Sequence, residues 1–103
     1  MAAVAHNSNT TTTGKPFDDR TIEAVWQKGK PADSPSLRKD KCGAKMQRDK
    51  YGSTSSTLGW EIDHIKPVAK GGGDDLDNLQ PLQWENNRHK GDDWPNWTCK
   101  ITN

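Results

Sequence analysis

Cysteine is scarce in this chain, with only Cys42 and Cys99 among 103 residues. Two thiols exclude a four-cysteine zinc site and a disulfide framework, although one disulfide is open to them. Long apolar runs are absent too. No stretch approaches the roughly 18 residues that span a bilayer, which argues against an integral membrane protein. The first 14 residues hold no Lys or Arg and one short apolar run, residues 2–5, so no secretory leader is read there. On that ground both cysteines are expected as reduced thiols and the protein as cytoplasmic. Apolar residues make up 29% of the chain, against about 45–50% in an average domain when glycine is counted. That limits the chain to one small core and argues against a large two-domain enzyme. Such a core usually needs a disulfide, a metal or a partner. An excess of one charge is also lacking: 15 Lys and Arg against 14 Asp and Glu leave +1. Low hydrophobicity is therefore not joined by the high net charge of a disordered chain. Tryptophan, by contrast, is plentiful. Five of them, at 26, 60, 84, 94 and 97, point to a packed core.

Residues 1–14 are rich in Ala, Asn and Thr without periodicity, and a disordered tail is expected. Charge is segregated beyond it. Residues 15–50 carry ten basic and six acidic side chains, whereas residues 51–103 carry five and eight. The first part could meet an anion and the second hold a cation, although a solvated surface has the same composition. Asp18 or Asp19 can cap a helix that Gly29 stops, with Ile22, Val25 and Trp26 on its apolar face. Residues 30–35 contain two prolines and read as a loop, residues 44–51 as a strand. Trp60, Ile62 and His64 alternate with Glu61, Asp63 and Ile65 as in a strand. Residues 71–73, all glycine, require a loop. Residues 79–83 predict a short strand with Pro81 at an edge. Residues 84–90 predict a helix closed by Gly91. The order is strand, Gly-rich loop, strand, helix.

The chemistry sits on this frame. Asp63 offers an oxygen ligand for a hard cation, and His64 can take a proton from water. Adjacent strand residues point to opposite faces, so the two serve one site only where the strand bends or ends, and Pro67 marks such an end. The three glycines could cradle a phosphate, or simply supply positive φ. Gly71-Gly72-Gly73-Asp74-Asp75-Leu76-Asp77 has a faint likeness to a calcium β-roll repeat, but that architecture needs several copies. Trp94-Pro95-Asn96-Trp97 could stack on bases or pack against the domain.

Residues 60–90 closely resemble the HNH nuclease family, of its small stand-alone bacterial or phage type. Asp63-His64-Ile65, Pro67, Gly71-Gly72, Asp74, Asn78-Leu79, Leu82, Asn87 and Lys90 carry the resemblance, in the family's order and spacing. It implies an α+β chain with a small ββα-metal core over residues 58–93. Residues 15–57 would then supply an N-terminal helix and a basic segment, and residues 94–103 a C-terminal extension. By this match Asp63 is a metal ligand, His64 the general base, and Asn78 the residue that braces the hairpin and orients His64. The family spacing gives Asn87 as second ligand, with Lys90 one helical turn on; His89 is the alternative ligand, about 200° round the helix from Asn87. Two oxygen donors suit Mg²⁺ or Mn²⁺, whereas a His89 ligand would favour Zn²⁺ or Ni²⁺. Some relatives add two Cys-x-x-Cys knuckles around a structural zinc. Here Cys42 has no partner at that spacing, and Gln83 and Asn86 stand at the second pair, so no structural zinc is expected, and Trp60, Trp84 and the N-terminal helix must stabilise the fold.

The resemblance implies hydrolysis of DNA phosphodiester bonds with weak sequence preference. DNA, in double-stranded form, is the expected partner, and one site makes nicking the simpler outcome. Arg38, Lys39, Lys41, Lys45, Arg48, Lys50 and Lys90 are the candidate backbone contacts. A second reading is a nucleic-acid-binding or phage packaging accessory module that keeps the fold and cuts little alone. A secreted toxin domain is a third.

Overall fold

The computed structural model describes residues 7–103. The first helix, α1 (Asp19–Trp26), starts where the Asp18 carboxylate accepts the Thr21 N–H at 2.8 Å. Its Ile22, Val25 and Trp26 are buried, as their spacing predicts. Three short strands follow: β1 (Lys30–Pro31), β2 (Leu37–Lys39) and β3 (Lys45–Gln47), an antiparallel sheet in the order β1-β2-β3. The proline-rich loop expected at residues 30–35 therefore begins as a strand. The strand expected over residues 44–51 stops at Gln47 and turns into a 3₁₀ helix, Arg48–Lys50.

The second sheet is the hairpin of β4 (Trp60–His64) and β5 (Leu79–Gln83), with Ile62 opposite Pro81 and His64 opposite Leu79. It leads directly into α2 (Trp84–Lys90). The result is α+β, with a strand–strand–helix unit in the order the sequence predicts. The intervening loop is clasped by Asn78, whose Oδ1 accepts the Lys66 N–H at 2.9 Å and whose Nδ2 donates to the Lys66 and Gly73 carbonyls. Gly72 lies so close to this clasp that a Cβ would stand 1.7 Å from the Lys66 carbonyl oxygen. Only glycine fits there.

Alternation predicts a half-buried β4, yet all five of its residues are buried. Trp60 and Ile62 join Phe17, Ile22, Val25, Trp26, Met46 and Leu79 in the apolar core. Glu61 instead bonds to side chains of α2. Of the five tryptophans only two are core residues. Trp26 and Trp60 meet at 5.0 Å between ring centroids, and Tyr51 packs edge-on against Trp60 at 4.9 Å. Trp94 is exposed under the Lys66 ammonium, and Trp97 lies under that of Lys41.

Two expectations are corrected. Cys42 and Cys99 are not free thiols but form a disulfide across 57 residues of sequence. The cause is the C-terminal extension, which folds back because Asn86 Oδ1 accepts the N–H groups of Lys100 and Ile101 at 2.8 and 2.7 Å. That return brings Cys99 to Cys42, with Cα atoms 5.8 Å apart. The disordered tail expected over residues 1–14 is the second. Residues 1–6 lie outside the described residues. Residues 7–14 lie along the domain, where Asn9 Oδ1 accepts both the Tyr51 hydroxyl and the Ile62 N–H at 2.8 Å. No helix among the described residues is long and apolar enough to cross a membrane.

Candidate active site

The end of β4 and the last turn of α2 face one cavity of about 200 Å³. Asp63, His64, Pro67, Asn87 and Arg88 line it, joined by Ser8 and Asn9 from the N-terminal segment. Adjacent residues Asp63 and His64 both reach it because β4 ends at His64. Asp63 is 6% exposed. Its Oδ2 accepts the Gln80 amide at 2.9 Å, and its Oδ1 lies 3.2 Å from Lys90 Nζ. Burial nevertheless wins. It pushes the Asp63 pKa above its ordinary value, although Gln80, Lys90 and His64 all pull it down.

Asn87 comes from the buried face of α2. Its Nδ2 donates to Glu61 Oε1 at 2.9 Å, which fixes the amide orientation. Glu61 is itself held by Nε and Nη2 of a bidentate Arg88, at 3.0 and 2.8 Å, and this pairing raises the Arg88 pKa. Asn87 Oδ1 accepts no hydrogen bond from the described residues. His64 Nε2 lies 2.8 Å from Asp74 Oδ1, and the Phe17 ring is 5.9 Å from the imidazole.

The other sequence-derived candidates fall in three places. Asn78 sits under the site as the loop clasp, and bonds to Lys66 and Gly73 rather than to His64. His89 is exposed, 3.2 Å from the Thr98 hydroxyl, and does not line the cavity. Lys90, expected on a DNA backbone, is 1% exposed. Its ammonium binds the His64 carbonyl at 3.1 Å as well as Asp63, so it faces the hairpin and not solvent. The basic segment is partly committed. Arg38 donates to Gly29 and Gln27, Arg48 pairs with Glu23, and Lys45 pairs with Asp33. Lys39, Lys41 and Lys50 make no hydrogen bond or ion pair with the described residues through their ammonium groups.

Sequence reasoning left out Glu61, Gln80 and Asp40 and gave Asp74 no role. Glu61 carried a signal, as a carboxylate between the apolar Trp60 and Ile62. Asp40 carried none. It is buried, its Oδ1 accepts the Cys42 and Ala44 N–H groups, and its Oδ2 accepts the Gln83 N–H and the Asn86 amide, all at 2.9–3.0 Å. The Asp40 carboxylate thus joins the turn after β2 to the start of α2, and the disulfide joins the same turn to the C-terminal extension.

No group of three or more His, Cys, Asp or Glu gathers for a metal among the described residues. The oxygen pair does fit a hard cation. Asp63 is a carboxylate undercompensated in its buried setting, and Asn87 keeps an unused amide oxygen on the same cavity. Water and a substrate oxygen would have to complete the coordination.

A hairpin and a helix thus bring a carboxylate, an imidazole and an amide side chain to one cavity, in a ββα arrangement. Residues 41–97, more than half of the chain, match the family described as HNH endonuclease, and the chain belongs to that family. Members are usually nucleases and generally use one divalent metal ion. No curated protein and no solved structure matches the chain.

Proposed function

We propose that the protein is a divalent-metal-dependent endonuclease that hydrolyses double-stranded DNA, nicking one strand with weak sequence preference. The observation that carries this is the convergence of Asp63, His64 and Asn87 on one cavity. Asp63 and Asn87 would hold Mg²⁺ or Mn²⁺, and the bound ion would offset charge on a non-bridging oxygen and on the leaving 3′ oxygen. His64 takes the proton of the attacking water. Lys90 fixes the end of β4 through the His64 carbonyl, and Asn78 holds the loop that follows. Lys39, Lys41 and Lys50 are the ammonium groups available for phosphate, so affinity should fall steeply with salt. The cytoplasm is the expected place of action. The disulfide weighs against it, since such bonds are rare there. Thiol titration of protein made in a reducing cytoplasm tests this point.

The experiment is a plasmid assay with EDTA, Mg²⁺, Mn²⁺, Ni²⁺ or Zn²⁺, with His64→Ala alongside. Relaxed circles with metal, absent in EDTA and in the variant, are expected. DNA retarded on a gel but uncut with every ion would overturn the enzyme in favour of a binding or packaging module. The Lys90 ammonium against Asp63 is the observation on that side, because it competes with a cation for the same carboxylate.

A further inference from the structure

We infer that Asp74 is a positioning residue for His64, and that residues 7–14 form part of the site because they hold Asp74 in place. The inference rests on the nuclease reading for the meaning of His64, but not for its geometry. Asp74 lies on the loop between the hairpin strands and is 39% exposed at its side chain. A carboxylate so placed would ordinarily rotate. Here both oxygens are tied. The Thr12 N–H reaches Oδ1 and Oδ2 at 3.1 and 3.2 Å, and the Thr12 hydroxyl donates to Oδ2 at 2.9 Å. Oδ1 in turn meets His64 Nε2 at 2.8 Å.

The segment that supplies Thr12 is anchored at both ends. Asn9 Oδ1 accepts the Ile62 N–H, two residues before His64 on β4. Beyond Thr12 a turn closes, with the Gly14 N–H on the Thr11 carbonyl at 2.9 Å and the Thr11 N–H on the Lys15 carbonyl at 2.8 Å. The strap therefore runs from the strand that carries His64 to the loop that carries its partner. Because an ionised carboxylate only accepts, a neutral imidazole bonded to it through Nε2 has its proton on Nε2. The lone pair is then on Nδ1, and the ring is held about one axis. Asp74 so fixes which ring nitrogen carries the proton and how the imidazole is turned, and Thr12 selects the rotamer of Asp74. A partner of this kind typically changes a rate by about 10–100-fold when removed.

The test uses the full chain with Asp74→Ala, Asp74→Asn and Thr12→Val. Nitrogen-15 NMR of neutral His64 reports its tautomer, and steady-state nicking separates kcat from KM. Wild type should show the Nε2–H form, and Asp74→Ala a mixture. In Asp74→Ala kcat should fall about 10–100-fold with KM little changed. Asp74→Asn keeps an oxygen acceptor and should recover most of the tautomer and the rate, while Thr12→Val, which keeps the backbone N–H, should lose a few-fold. If Asp74→Ala does not fold, the kcat of Thr12→Val still decides. An unchanged tautomer in Asp74→Ala overturns the inference, as does an unchanged kcat in Thr12→Val or an unchanged kcat with the tautomer lost. A wild type that cuts no DNA overturns the nuclease reading alone, because the tautomer is read without turnover.

Discussion

Two adjacent asparagines of α2 are built from the same material and do opposite things. Asn86 is completely buried, and both of its amide atoms are used. Oδ1 accepts two backbone N–H groups and Nδ2 donates to Asp40 and to the Ile101 carbonyl. The next residue, Asn87, is buried almost as deeply, lines the cavity, spends its Nδ2 on Glu61, and has no hydrogen bond to Oδ1 from the described residues. Asp40 and Asp63 repeat the contrast. Asp40 accepts four hydrogen bonds inside a closed clamp, while Asp63 remains destabilised by burial despite Gln80 and Lys90. A saturated polar network fixes geometry; one with an acceptor left over can bind something. Burial alone would not have told the two asparagines, or the two aspartates, apart.

The largest expected effect breaks the comparison at its chemical end. His64→Ala should depress nicking about 10²–10⁴-fold, while the urea midpoint reports a stability within about 1 kcal/mol of wild type. A parallel loss of both would make His64 a structural residue and remove the distinction.

Next in size is the clamp itself. Replacing Cys42 and Cys99 by serine should cost about 2–4 kcal/mol in denaturant unfolding, because the bond closes a long loop of the unfolded chain. The folded variant should nick at an unchanged rate, since neither cysteine lines the cavity. A folded serine variant without activity would tie the clamp to the site.

Asn86 and Asn87 sharpen the contrast within two adjacent positions. Asn86→Ala strands the Lys100 and Ile101 N–H groups and one Asp40 lone pair, at roughly 1–3 kcal/mol. Asn87→Ala should cost less stability and most of the metal response. Calorimetric titration with Mn²⁺ and thermal melts of both variants check the crossover. Equal losses in both measurements would erase it.

The hairpin–helix unit was legible because its signals are local. Alternation from Trp60 to His64, three glycines, Pro81 and a terminal Gly91 lie within one stretch and fix the elements in order. The family spacing likewise singled out Asp63 and Asn87, which meet at the cavity. What stayed hidden is held by bonds distant in sequence. Asp40 meets Asn86 across 46 residues, Cys42 meets Cys99 across 57, and Thr12 meets Asp74 across 62. Such contacts leave no periodicity. The low-complexity composition of residues 7–14 even argued for disorder, yet Asn and Thr are the side chains that can dock a segment through hydrogen bonds when no apolar face is available. Lys90 was misread for a related reason. A lysine at the end of a polar helix reads as solvated until the strand carboxylate across from it is known.

The smallest expected effect concerns that docked segment. Burial alone would raise the Asp74 pKa, but the bonds from His64 and Thr12 outweigh it and hold the group below its ordinary 3.8. A depressed carboxylate binds protons less readily folded than unfolded. Its contribution to stability is therefore present above about pH 4 and is lost as the pH falls through the folded value. Solvent screens a side chain this exposed, so the contribution is roughly 0.2–1 kcal/mol. Asp74→Asn cannot titrate. The difference in unfolding free energy between it and wild type should be constant from about pH 6 to 5 and shrink toward pH 3. A difference that grew on acidification would mean that the Asp74 carboxylate is destabilised by its surroundings, and the strap would then be docked by Asn9 alone.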